Sequence, residues 1–269
     1  SISKDFAPHA VKAGAVVIDN SSAFRMDPEV PLVVPEVNPQ AILKHKGIIA
    51  NPNCSTIIMV MALKPIYDLA KIKRVIVSTY QAVSGAGKEG IDELDAQVRE
   101  HSEGREMTAN ILPSASAEKH YPIAFNLIPQ IDVFCDNLYT KEEMKMVNET
   151  KKIMEDYEMR ITATTIRVPV YRSHSESVNI ELEKEVDLGA MREALAKFPG
   201  VTVQDDPSKQ EYPMPLYTSE KDDVYVGRLR RDESCEKSYN MWVVGDQIRK
   251  GAALNTLQIA ETMIKNGWI

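Results

Sequence analysis

The stretch "NPNCSTIIMV", residues 51–60, sets a thiol between a Pro-Asn turn signal and an apolar run. If Ser55 and Thr56 open a helix there, its positive end lowers the pKa of Cys54 and its free N–H groups can receive an oxyanion. Cys54 then reads as a nucleophile. The other reading is a small buried residue at a strand–helix junction, since free cysteine is among the most buried residue types. A cysteine nucleophile also needs an acid or base partner, distant in sequence and near in space. Of the five histidines, His101 and His120 lie in charged, surface-like stretches, and His9 and His45 at polar helix ends. Only His174 sits in a polar cluster, "YRSHSES", interrupting a strand pattern, where it is either that partner or a surface residue at a bulge.

Charged groups elsewhere fit an anionic ligand. Arg167, which opens "RVPV", could grip a carboxylate through both arms of its guanidinium, or form a surface pair. Glu142 and Lys145, three apart, share one helix face, which by default is an ordinary ion pair. Arg25 in "NSSAFRMD" follows the "AVVID" strand, at the carboxyl edge where open α/β sheets collect ligands. "GAGKEG" (85–90) matches G-x-G-x-x-G, but a dinucleotide fingerprint also wants an acidic residue ending a second strand about 20 residues on. That interval, "REHSEGREMTANILPS", is polar, so the stretch reads better as a Gly-rich loop bringing backbone close to a ligand.

The elements that must position these groups alternate. "DFAPHAVKAG" reads as a helix end with a Gly stop, followed by short segments at 15–19, 32–38, 41–46 and 47–53 in a βα manner. They predict a parallel, doubly wound sheet. A helix runs from 55 to about 70 with Pro65 as a kink or break, then a β-rich run over 73–87 and an amphipathic helix. "TKEE" offers Thr140 as N-cap with Glu143 completing a capping box. Residues 160–183 alternate, with Val178, Ile180 and Leu182 on one face. "LGAMREALAKFPG" is a helix, "VYVGRLRRD" and "SYNMWVVGD" antiparallel partners, and the last segment a helix packing Leu254, Leu257, Ile259, Ala260, Met263 and Ile264 on a sheet.

At 269 residues the chain holds one large domain or two ordinary ones. A net charge of −7 argues against nucleic acid and anionic membrane as partners, and the longest apolar run, "IIMVMAL", is too short to span a bilayer. Three widely spaced cysteines (Cys54, Cys135, Cys235) form no zinc pattern and no disulfide framework. No metal is expected, and a reducing, cytoplasmic compartment is.

With Cys54, Gln81, Arg167 and His174 in place, the chain resembles the aspartate-semialdehyde dehydrogenases. The matching stretches are "AVVIDNSSAFRMD", "PLVVPEVN", "ANPNCST", "YQAVSGAG", "YTKEEMK", "RVPVYRSHSESV" and "MWVVGDQIRKGAALNTLQIAE", from one end to the other. The resemblance implies a Rossmann-like nucleotide-binding domain (1–53 and 245–269), incomplete in this chain. It also implies an α+β catalytic and dimerisation domain (54–244) with a mixed, largely antiparallel sheet like that of glyceraldehyde-3-phosphate dehydrogenase. It implies Cys54 as acylated nucleophile, His174 as general acid/base and Gln81 as the residue setting the substrate at the thiol. Arg167 would bind the substrate carboxylate, Glu142 its amine, and Lys145 and Arg25 the phosphate, with Asn53 beside the thiol. Ser84, Gly85 and Gln247 match cofactor-contacting positions.

The implied reaction is NADP-dependent conversion of L-aspartyl 4-phosphate to L-aspartate 4-semialdehyde and phosphate, in lysine, threonine and methionine biosynthesis, by a homodimer or tetramer. The family's Gly-rich NADP phosphate loop is expected upstream of Ser1, so impaired activity of this chain is also expected. The alternatives are another acyl-phosphate reductase, such as N-acetylglutamyl-phosphate reductase, a non-catalytic dimerising fragment, or a Cys–His hydrolase.

Overall fold

The computed structural model describes residues 2–269. Helix α1 (Ile2–Lys12) gives way at Gly14, whose φ of +91° lies where a side chain would be strained. Strand β1 (Val17–Asp19) then pairs in parallel with β2 (Ile48–Ala50), the only two strands of a small sheet among the described residues. The strand expected over 32–38 does not form. Leu32 makes one bridge to Ala50, after which the N–H groups of Val37 and Asn38 both turn back to the Val34 carbonyl. The Asn38 side chain locks this turn by accepting from Val34 N–H and donating to the Leu32 carbonyl, a local side-chain competition with strand pairing. Residues Pro39–Lys44 follow as a tight 3₁₀ turn.

Helix α2 (Cys54–Leu69) begins one residue before the expected position because Asn53 is its cap. The Asn53 backbone is extended and its Oδ1 accepts the Thr56 N–H at 3.1 Å, satisfying one free donor of the first turn. Pro65 is carried inside the helix without ending it. From Ser55 to Leu63 no residue has any solvent exposure. Each large apolar side chain so buried contributes about 1.5–3 kcal/mol, so α2 is the centre of the main core.

That core lies against a six-stranded sheet ordered β4-β3-β5-β8-β7-β6, made of β3 (Ile72–Gln81), β4 (Arg160–Arg167), β5 (His174–Leu182), β6 (Val201–Val203), β7 (Val224–Arg231) and β8 (Ser238–Gly245). The middle pairs are antiparallel and the outer pair at each edge is parallel, the mixed, largely antiparallel sheet that was expected. Val178, Ile180 and Leu182 of β5 are buried as their alternation requires.

Five helices complete the chain. Helix α3 (Lys88–Ser102) follows β3 through the 3₁₀ turn Val83–Ala86, and α4 (Lys141–Ile153) starts at the full Thr140/Glu143 capping box. Helices α5 (Leu188–Lys197) and α6 (Pro215–Thr218) flank β6, and α7 (Leu254–Asn266) closes the described chain after a π-helical turn, Arg249–Ala253. Helix α7 buries a narrower face than its sequence suggests. Ile259 and Met263 join Val33, Ile42 and Ile49 beside the small sheet, whereas Leu257 and Ile264 stay 56% and 67% exposed.

These burials set a test. Leu63→Ala should cost about 2–5 kcal/mol of unfolding free energy. Leu257→Ala should change it by no more than about 0.5 kcal/mol. Urea denaturation of the two variants reads both, and equal costs would contradict the packing.

Candidate active site

Three strand ends and one helix start converge. Strand pairing sets Gln81, the last residue of β3, directly beside Arg167, the last of β4. His174 opens β5 opposite Gly245, the last residue of β8. It is not at a surface bulge: the ring is fully buried, carried inward by the left-handed turn at Ser173 (φ +68°), whose N–H donates to Gln247 Oε1 at 3.0 Å. Ala82, just past β3, ties two of these groups together. Its N–H donates to His174 Nδ1 at 3.1 Å and its carbonyl accepts from Arg167 Nη1 at 2.7 Å.

Gly85 stands where the two side chains meet. A Cβ there would lie 2.7 Å from Arg167 Nη1 and 3.4 Å from His174 Nε2, so the Gly-rich loop is needed for space. With Nδ1 accepting from Ala82, the neutral imidazole carries its proton on Nε2, a buried atom with no protein partner. Burial and then the Arg167 charge hold the His174 pKa well below the usual histidine range.

Cys54 joins this group through its neighbours. Asn53 Nδ2 donates to Glu142 Oε1 at 2.9 Å, and Gln81 Nε2 reaches the same oxygen at 3.4 Å. Glu142 therefore links the α2 cap to the end of β3, and is no surface residue. Lys145 Nζ lies 3.2 Å from Glu142 Oε2 and 2.9 Å from Asp132 Oδ2. Burial would lower the Lys145 pKa, but these two carboxylates outweigh it and raise it. From the other side Gly251, inside the π turn, packs on Cys54: a Cβ at Gly251 would stand 3.0 Å from that of Cys54.

The thiol itself contradicts the expectation of a lowered pKa. Cys54 is half-buried, and protein crowds densely around it. Burial first, and the Glu142 charge second, push its pKa up to about 12, against the pull of Arg25, the Ser55 N–H and Arg167. The helix start and the cations are where the sequence puts them; the desolvation and the nearby carboxylate are what it does not show.

Every residue singled out in the sequence lies in this region or borders it. Arg25 is buried, with Nε on the Asn51 carbonyl at 2.9 Å and Nη1 3.3 Å from Glu149 Oε1. Gln247 Nε2 donates to Ser84 Oγ, fixing the loop beside Gly85. Sequence reasoning missed Ala82 and Gly251, which act through backbone and space, and Glu149 and Asn51, buried polar groups. The only signal for Glu149 was its place two turns from Glu142 on α4. Glu176, two residues along β5 from His174, is fully buried with neither carboxyl oxygen partnered, and its desolvation raises its pKa well above the carboxylate range. Among the described residues no group of three or more His, Cys, Asp or Glu is arranged to hold a metal. No helix there is long and apolar enough to cross a membrane.

The loop Ser84–Gly87 leads into the first turn of α3 and presents glycine rather than side chains next to Arg167 and His174.

Comparison with known proteins gives two family matches: "Semialdehyde dehydrogenase, dimerisation domain" over residues 63–250 and "Semialdehyde dehydrogenase, NAD binding domain" over residues 1–45. The chain is 56% identical to an aspartate-semialdehyde dehydrogenase of Aquifex aeolicus, over all of this chain and 78% of that protein. It superposes with a TM-score of 0.93, at 47% identity, on aspartate semialdehyde dehydrogenase II of Vibrio cholerae complexed with ASA, covering 98% of this chain and 76% of the other. A Candida albicans aspartate semialdehyde dehydrogenase with NADP matches at a TM-score of 0.75 and 25% identity, covering 100% of this chain and 76% of the other.

The thiol's environment predicts its reactivity in the ligand-free protein. Thiolate is the reacting form, so with a pKa of about 12 the alkylation rate of Cys54 should climb roughly tenfold per pH unit from pH 8 to 11. At pH 8 exposed Cys235 should label faster with iodoacetamide. Peptide mass spectrometry reads both sites, and a fast, pH-independent Cys54 would show that its thiolate is already formed.

Proposed function

The chain belongs to the aspartate-semialdehyde dehydrogenase family of oxidoreductases, and from that premise we propose that it reduces L-aspartyl 4-phosphate to L-aspartate 4-semialdehyde, with release of phosphate, through a thioester on Cys54. The observation that carries this reading is the convergence of Arg167 Nη1 and His174 Nε2 on the Gly85 notch, with Glu142 joining Gln81 to the cap of the Cys54 helix. An amino-acid substrate needs one cation for its α-carboxylate and one anion for its ammonium. Arg167 and Glu142 supply them.

Substrate charges also solve the problem of the protonated thiol. An ammonium paired with Glu142 removes the chief charge that raises the Cys54 pKa, and a carboxylate on Arg167 removes the charge that opposes protonation of His174. Binding thus moves the two pKa values toward each other. Sulfur then attacks the acyl carbon, the carbon–oxygen bond to phosphate breaks, and the thiol proton leaves with the phosphate toward Arg25 and Lys145. His174 Nε2–H donates to the acyl oxygen as negative charge builds there, an oxyanion-type contribution worth about 10²–10³ in rate for a single donor. Reduced NADP, when bound, would supply the hydride that the thioester carbon takes up, and Ser84, Gly85 and Gln247 would hold it. The oxyanion so formed collapses to the aldehyde and releases sulfur as thiolate, which burial makes a strong base and which regains its proton from water.

We divide the chain into nucleotide-binding segments 1–53 and 245–269 and a catalytic, dimer-forming segment 54–244, and read the working form as a homodimer or tetramer in a cytoplasmic amino-acid pathway.

Two measurements test the reading. Without nucleotide, aspartyl phosphate should release a burst of about one phosphate per chain and leave an aspartyl adduct on Cys54 by mass spectrometry. Cys54→Ala should abolish both, and a burst that survives this change would refute the thioester. Gly85→Ala should melt near the parent temperature yet raise KM for aspartyl phosphate about tenfold or more by displacing the Arg167 guanidinium. An unchanged KM would remove Arg167 from the substrate site.

A further inference from the structure

Glu149 has no part in the steps above, yet it is among the most enclosed charged groups in the protein, with a side chain only 1% exposed. Its two oxygens serve two different partners. Oε1 lies 3.3 Å from Arg25 Nη1, and Oε2 accepts the backbone N–H of Asn53 at 2.6 Å. The other bonds of Arg25 go to neutral carbonyls, Nε to Asn51 at 2.9 Å and Nη2 to Asn20 at 3.0 Å. Glu149 is thus the counter-charge of this guanidinium among the described residues. The same carboxylate holds the backbone of the residue that caps α2 and precedes Cys54.

We propose that Glu149 is a positioning residue that competes internally with phosphate for Arg25 and at the same time anchors the Asn53 turn under the nucleophile. The proposal rests on the reading of Arg25 as a phosphate ligand and of Cys54 as the nucleophile. A guanidinium buried without a counter-charge is costly, and one left free for phosphate would hold the product tightly. A fixed carboxylate on one arm answers both: Arg25 stays in place, and two of its five N–H groups remain for phosphate oxygens. Glu142 and Glu149, two turns apart on α4, hold the side chain and the backbone of the same Asn53. One helix face therefore fixes the α2 start and weakens the anion site beside it.

The two tasks predict opposite effects from one change, which a purely structural residue would not give. In Glu149→Gln the amide keeps the shape and can still accept from Asn53, but the charge opposing phosphate is gone. Inorganic phosphate, titrated calorimetrically into the full chain, should bind at least about fivefold tighter. The nucleotide-free phosphate burst from aspartyl phosphate should slow by about tenfold, because a neutral amide oxygen holds the Asn53 N–H less strongly than a carboxylate does. Glu149→Asp, which can reach only one of the two partners, should shift both quantities the same way by less, and stands in if the glutamine variant does not fold. Arg25→Ala should lose phosphate binding. Phosphate affinity unchanged or weakened in both Glu149 variants, with Arg25→Ala still deficient, overturns the proposal and leaves the role of Arg25 intact. Undiminished phosphate binding by Arg25→Ala refutes the assignment of Arg25, and the proposal with it.

Discussion

The structure hangs on how the first turn of α2 is held. A helix with no exposure from Ser55 to Leu63 cannot fray or shift without opening the main core, so its start is fixed to within the tolerance of close packing. Asn53 makes that start, and three independent bonds hold Asn53: its own cap to Thr56, its side chain on Glu142, and its backbone on Glu149. Because Glu142 also reaches Gln81 and Glu149 also reaches Arg25, the same residue links the small parallel sheet, α4 and the edge of the large sheet. Cys54 follows directly on this junction.

This anchoring has an electrostatic consequence. Burial of the Cys54 position, and then the charge of the Glu142 carboxylate that holds Asn53, outweigh the nearby Arg25 and Arg167 and keep the sulfur protonated in the ligand-free site. His174 is treated in the mirror sense, since burial and Arg167 keep the imidazole neutral. Both groups rest in their uncharged forms in the ligand-free protein.

Much of the fold was legible in the residues themselves. The capping box at Thr140, the alternation along β5, the Gly stop after α1 and the pairing of β7 with β8 all follow from local pattern. The failures also have local causes. Asn38 turned a predicted strand back on itself, and α7 laid only one edge on its small sheet, leaving Leu257 and Ile264 outside. The site was legible as a set of residue types but not in its electrostatics: the helix start suggested a depressed thiol pKa, and burial reversed it.

The sequence by itself determined which groups could do the chemistry, because a thiol, an imidazole, a guanidinium and a carboxylate have fixed capacities wherever they stand. It also determined where α2 could start, since a Pro-Asn pair before a long apolar run leaves few other places. Only the tertiary structure decided that Gly85 had to lack a side chain, that Ala82 would orient the His174 ring by its backbone, and that Glu149 would divide its oxygens between Arg25 and Asn53. The reason is physical. Charge and nucleophilicity are intrinsic to a side chain, but desolvation, tautomer and free space are set by what the rest of the chain packs around it.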